Sequence, residues 1–177
     1  MGYYFSAATF RTIGSAATPQ NLFTIENVDS SLLVKVRRLL VQMDATAALT
    51  SVMPLIKASR PASPPSGGTS LAKVPFDTTH ASNGNVVCRG SCSSDGGTLS
   101  AMTATAADVA WEQYCMRLHT AVGQVLSLDN NMLPSLVDTT DFILRQNQSL
   151  LVQVVASAGS SNPATNHYFV ECVWEEV

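Results

Sequence analysis

Hydrophobic and polar positions alternate with a period of two through much of this chain, the mark of half-buried β-strands. The alternation is cleanest near the end, in NHYFVECVWEEV. There Tyr168, Val170, Cys172 and Trp174 share one face, with Glu171 and Glu175 on the other. In NLFTIEN, Leu22, Thr24 and Glu26 alternate with Phe23 and Ile25. SSLLVKVRRLLVQM is irregular: Val34 and Val36 share a face, but Leu39, Val41 and Met43 share the face of opposite parity. The phase reverses at Arg37-Arg38, which predicts a β-bulge or a bend between two sheets.

TTDFILRQNQSLLVQVVASAG reads as a strand, a turn at Gln146-Asn147-Gln148 and a second strand. Pro54 breaks TAALTSVMPLIKAS and marks an edge or bulge. The Pro/Gly-rich stretch from Arg60 to Ser70 is a surface loop, and LAKVPF and VVC are short strands. Turns are expected at Asn83-Gly84 and Asp95-Gly96-Gly97, and a strand over TLSAMTATA. The segment ADVAWEQYCMRLHTAVGQVLSL suits neither period well; a strand is expected after Trp111, with a short helical turn over Thr105 to Val109. The sum is about eight to ten short strands at sandwich spacing, with no βαβ alternation and no internal repeat.

Residues 1–19 show no period but hold four aromatics, Tyr3, Tyr4, Phe5 and Phe10. Disordered tails are aromatic-poor, so this stretch is expected to be an extended N-terminal arm that packs on a neighbour. The division is therefore an arm over 1–19 and a β-sandwich domain over 20–177.

Composition sharpens this picture in one respect. A chain of 177 residues is one domain, long enough to fold without a metal or disulfide. Charged residues make up only 13%, against about 25% in ordinary globular proteins. Either Ser, Thr, Asn and Gln cover the surface, or other subunits cover much of it. The net charge of −3 and the lack of any basic run beyond Lys35, Arg37 and Arg38 exclude an electrostatic nucleic-acid surface. No stretch is apolar enough to span a membrane as a helix, so no membrane partner is expected. The N-terminus lacks a basic n-region and apolar core, so no signal peptide is expected, and synthesis belongs in a reducing compartment.

The cysteines raise a chemical question. Cys88 and Cys92 are followed by Cys115 and His119, a string that resembles a four-ligand zinc site. On a strand, however, side chains four apart sit about 13 Å from each other. That excludes joint ligation by Cys115 and His119, and no metal or cofactor is expected. Cys88 and Cys92 are either free thiols or a local disulfide on a turn. Cys172 reads as a core thiol. Among enzyme motifs, G-x-S-x-G, the P-loop, G-x-G-x-x-G and H-E-x-x-H are all missing, and His80, His119 and His167 have no nucleophile beside them. No catalytic residues are expected. Asp129-Asn130-Asn131 reads as a turn, Asn147-Gln148-Ser149 as a chance sequon, and Glu175-Glu176 as a solvated end.

NLFTIEN followed by LLVKVRRLLVQMD, then SGGT, FILRQNQSLLVQVV and HYFVECVWEE, resembles a group of tailed-bacteriophage virion proteins. In that group an N-x-F-x-I-x-N strand precedes a V-x-V-R-R strand, a late L-R-x-G-E-x-L turn precedes another, and the chain closes with W-E-E. Here Gln146-Asn147-Gln148 replaces the Pro-Gly-Glu type of turn. The resemblance implies a jelly-roll-like antiparallel β-sandwich in the virion. It further implies a non-enzymatic capsid decoration (cement) protein, made in the host cytoplasm, that contacts the major capsid protein and itself as a homotrimer. A tail, collar or fibre-adaptor role is the alternative, or a jelly-roll module binding a host-surface glycan. On the decoration reading the aromatic residues Tyr3, Tyr4, Phe5 and Phe10 and the loop over 60–70 are the expected contacts.

Overall fold

The structure, a computed structural model, describes residues 2–13, 20–45, 55–90, 108–114, 125–128, 142–155 and 166–177. All regular elements among them are strands: β1 (Tyr3–Ile13), β2 (Gln20–Asn27), β3 (Val34–Ala45), β4 (Leu55–Arg60), β5 (Thr69–Ser70), β6 (Val74–Pro75), β7 (Val86–Gly90), β8 (Asp108–Tyr114), β9 (Val125–Leu128), β10 (Phe142–Leu144), β11 (Gln148–Val155) and β12 (Asn166–Glu176). They form two antiparallel sheets. One runs β10-β3-β12-β1-β6, with β9 also on β3; the other runs β5-β7-β2-β11-β4-β8.

The pairings are those of a rolled-up antiparallel hairpin. The first strand pairs with the last (β1 with β12), the second with the next to last (β2 with β11), β3 with β9 and β10, and β4 with β8. That nesting is the jelly roll, and the expected all-β, jelly-roll-like sandwich is what the chain adopts. Several successive strands change sheets, and even the turn at 145–147 is a crossing: β10 belongs to one sheet and β11 to the other.

The core lies between the inner faces. Phe5 and Ala7 of β1, Phe23 and Ile25 of β2, Ile56 of β4, Val152 of β11, and Tyr168, Val170, Cys172 and Trp174 of β12 are all buried within it. The C-terminal alternation read from sequence thus points as expected. Phe5 stacks on Trp174 with ring centroids 5.9 Å apart, a favourable offset geometry.

Bulges set the register, and two of them bear on the reading of the sequence. Opposite β12, Val173 pairs with Arg38 and Trp174 with Val36, so Arg37 is the extra residue. This is the phase reversal predicted at Arg37-Arg38, and it lets both Val36 and Leu39 face the core. In β2, Phe23 pairs with Val152 and Asn21 with Gln153, leaving Leu22 as the extra residue. The reading that grouped Leu22 with Thr24 and Glu26 is corrected by this bulge: Leu22 joins Phe23 in the core.

Other expectations change as well. Residues 3–13, read as part of an arm over 1–19, pair along their whole length with β12 of the same chain. This stretch is the first strand of the roll, so a boundary at 19/20 divides the sandwich itself. β8 begins at Asp108, so Asp108 and Val109 are extended rather than helical. The short strand read at Val86–Cys88 extends through Arg89 and Gly90, which complete β7. Gly90 admits no side chain, because a Cβ there would lie 2.6 Å from the Thr9 Cβ. The loop after Arg60 closes on Gly67 and Gly68 at φ 75° and 77°, conformations that glycine adopts without strain. Asp95-Gly96-Gly97, TLSAMTATA and Asp129-Asn130-Asn131 lie outside the described residues.

Candidate functional site

One edge of the first sheet gathers exposed apolar side chains. β6 is short because Pro75 has no N–H to continue a ladder. It pairs with β1 at Phe5–Pro75 and Ser6–Val74, and the Phe76 N–H donates to the Tyr4 carbonyl at 2.9 Å. Tyr4 and Phe76 therefore stand across from each other. Tyr3, Tyr4, Val74 and Phe76 are all exposed, Phe76 by 67%.

The chain then turns on Asp77. Its Oδ1 accepts from the Thr79 N–H at 2.9 Å and the Thr79 hydroxyl at 2.7 Å, a side-chain-capped turn of the kind Asp favours. Its Oδ2 lies 3.3 Å from His80 Nδ1. These hydrogen bonds, the Thr79 hydroxyl foremost and then the Thr79 amide, hold the Asp77 carboxyl below its ordinary range. His80 stacks on Tyr3 at 3.8 Å between ring centroids. Between these groups lies an open groove of about 340 Å³, lined by Gly2, Tyr3, Tyr4, Phe76, Asp77 and His80. A second hollow of about 490 Å³ opens on the other side of His80, against Lys73 and Pro75.

A polar brace underlies the groove. Glu176 accepts from the Ser82 hydroxyl at 2.6 Å, the Asn83 N–H at 2.9 Å and the Trp174 indole N–H at 3.1 Å. Lys73 Nζ donates to the carbonyls of Asn83 and Val86, both at 2.7 Å. Asp29 accepts from Asn83 and Asn85 side-chain amides at 3.0 and 3.1 Å, and from Ser31. The Asn85 amide is the largest cause, with Ser31 next, of the strong lowering of the Asp29 carboxyl pKa. Asn27, fully buried, ties the sheets together: its side-chain amide donates to Leu32 at 2.8 Å and Leu144 at 3.0 Å. Glu175 forms an ion pair with Arg37. The expectation of a solvated end at Glu175-Glu176 is thus overturned: both are buried, because donors from the bulge and from the loop before β7 converge on them.

Of the four aromatics expected to make contacts, Tyr3 and Tyr4 border the groove. Phe10 is exposed further along β1, beside His167 at 5.0 Å; six strand residues put it about 20 Å from Tyr4. Phe5 is 1% exposed and belongs to the core. Sequence reasoning missed Phe76 and Asp77 as partners of the tyrosines. The available signal was Val74-Pro75-Phe76-Asp77-Thr78-Thr79, a proline-stopped strand followed by an Asp turn.

Cys88 is a buried free thiol on the inner face of β7, and Cys172 is likewise free and buried. Burial pushes the Cys88 thiol up to about 12 and raises Cys172 well above the ordinary thiol value. Cys92, Cys115 and His119, the other members of the zinc string, lie outside the described residues. Among the described residues no three His, Cys, Asp or Glu side chains are grouped as a metal site, and no helix is long and apolar enough to cross a membrane. The chain matches no family model, no curated protein and no solved structure.

Proposed function

We propose that this chain is a non-enzymatic structural protein of a tailed-phage virion, a decoration protein that bridges neighbouring capsid subunits. The carrying observation is the apolar rim of Tyr3, Tyr4, Val74 and Phe76, exposed on one edge of a jelly roll. Apolar side chains clustered at the surface favour a protein contact. The neighbouring ionisable groups Glu175, Glu176, Asp29 and Lys73 are engaged in bracing loops. The low charge content of 13% supports the same reading, since a surface covered by other subunits needs less charge. The partners on this reading are the major capsid protein and further copies of the chain, as a trimer, at the capsid surface.

The test is retention on particles. Tyr4→Ser and Phe76→Ser remove exposed apolar surface without touching the core. Both variants are expected to fold and to be lost from purified particles. Full occupancy of both would sink the rim's role, and absence of the wild-type chain from particles would sink the reading as a whole. Particle imaging separates a head from a tail or collar position.

A second reading has one observation in its favour: the groove is concave and aromatic-lined, which suits a sugar ring on a host surface. A glycan screen with no binding removes it.

A further inference from the structure

We propose that the groove between Tyr4 and Phe76 seats a cationic side chain of the protein partner, an arginine guanidinium held by the aromatic rings and the Asp77 carboxylate. The inference rests on the reading of this edge as a docking surface and specifies its guest.

Charge complementarity carries it. Three aromatic residues, Tyr3, Tyr4 and Phe76, border the groove, and its lining contains no Lys or Arg. A cation over an aromatic face is attracted by the ring quadrupole, and more so once desolvated. The carboxylate of Asp77 stands at the same groove with its side chain 62% exposed. Its Oδ1 takes both Thr79 bonds, while Oδ2 makes the longer 3.3 Å approach to His80. Oδ2 therefore retains acceptor capacity toward the opening. Lys73 does not neutralise it, because its ammonium is held by the carbonyls of Asn83 and Val86. Glu175 abuts Gly2 but is paired with Arg37, so the charge that faces a guest is that of Asp77.

Arginine suits this arrangement better than lysine. The guanidinium is planar, stacks on rings and presents paired donors to a carboxylate. A neutral sugar would use the rings but leave the acidic character of the groove uncompensated. An apolar side chain would desolvate the Asp77 carboxylate without bringing it an opposite charge, which is costly. Arginine is also among the side chains that dominate binding energy at interfaces.

The experiment titrates the full chain with N-acetylarginine amide and follows the aromatic and His80 NMR signals. N-acetylcitrulline amide, nearly the same shape but neutral, is the control, and a panel of mono- and disaccharides runs in parallel. Saturable shifts of the Tyr3, Tyr4 and His80 signals with arginine are expected, with citrulline weaker by roughly tenfold, the size of one exposed cation–π contact plus one ion pair. Asp77→Asn keeps the acceptor for Thr79 and removes the charge; it should weaken arginine binding roughly fivefold while leaving citrulline unchanged. Equal binding of arginine and citrulline, no response to arginine, or shifts with sugars alone would each overturn the inference. Arginine binding combined with full particle occupancy of Phe76→Ser would keep the cation site and remove the docking role. Lost occupancy without arginine binding would keep the docking role and remove the cation.

Discussion

The indole N–H of Trp174 donates to the carboxylate of Glu176, two residues further along β12, at 3.1 Å. The two side chains share one face of the strand, so the largest core side chain is oriented by a charge at the sandwich's end. The same carboxylate holds Ser82 and Asn83, so one residue links core packing to the loop that shapes the groove.

Replacing Glu176 by Ala should therefore strand three donors. Charge-assisted hydrogen bonds each contribute about 1.5–3 kcal/mol, and buried donors without acceptors add a penalty. A loss of about 4–5 kcal/mol, the low end of that sum, is expected from urea unfolding. Glu176→Gln keeps an acceptor and should lose about 1 kcal/mol. Equal losses for the two variants would show that the carboxylate's charge, not the side chain's bulk or a neutral acceptor oxygen, holds the three donors.

Arg37 makes a second prediction. As the bulge residue it separates two runs of core positions, Val34 and Val36 from Leu39 and Val41. Arg37→Ala removes a partly buried ion pair and should cost about 1–2 kcal/mol, between surface and buried pairs. Deleting Arg37 removes the extra residue and leaves Val34, Val36, Leu39 and Val41 on one parity, so the ladder with β12 becomes regular. Both the deletion and Arg37→Ala should therefore keep a cooperative thermal transition, each at reduced temperature through the lost pair with Glu175.

The buried thiols predict alkaline sensitivity. Cys88 and Cys172 are protonated in the fold well above their ordinary value of 9.0. Unfolded, they release protons near that ordinary value. Between about pH 9 and the raised folded values the native state binds more protons than the unfolded state, so stability falls as pH rises. Below that window the contribution is fully present. Urea midpoints should drop between pH 8 and pH 10, and drop less in Cys88→Ala/Cys172→Ala. Alkylation without reduction should label Cys88 only after unfolding; a native mass two units light at a Cys88–Cys92 linkage would contradict the free thiol.

Asp29 gives the acid-side counterpart. Its folded pKa lies below the ordinary 3.8, with the Asn85 amide the largest cause and Ser31 next. Its contribution is present above the unfolded value and is lost as pH falls through the folded one. Asp29→Ala removes the acceptor of Asn83 and Asn85 at any pH. Amide hydrogen exchange over residues 77–85 should quicken in that variant while the β12 amides stay protected. Unchanged exchange in the loop would mean that Glu176 and Lys73 suffice to hold it.

Periodicity carried much of the fold. Alternation over 166–176 assigned the inner face of β12 correctly, because side chains on a strand have no choice but to alternate. The double arginine announced its bulge, since a strand buried on one face can change parity only by gaining a residue. The bulge at Leu22 gave no such notice: Leu22, Phe23 and Ile25 are apolar in either register, and Asn21 is ordinary at a strand's start. Only the pairing of Gln153 with Asn21, sealed by their 2.7 Å hydrogen bond, reveals it.

The sequence by itself determined the class of structure, the parity of its clearest strands, one bulge and the aromatic character of its beginning. Tertiary structure alone decided that Tyr3–Ile13 pairs with β12, that Phe5 turns inward while Tyr4 turns outward to meet Phe76, and that Glu175 and Glu176 are buried. The physical reason is the range of the interactions. Alternation and bulges are written in neighbouring residues. Glu176 meets Ser82 across 94 positions and Arg37 meets Glu175 across 138, and such contacts exist only once the roll has closed.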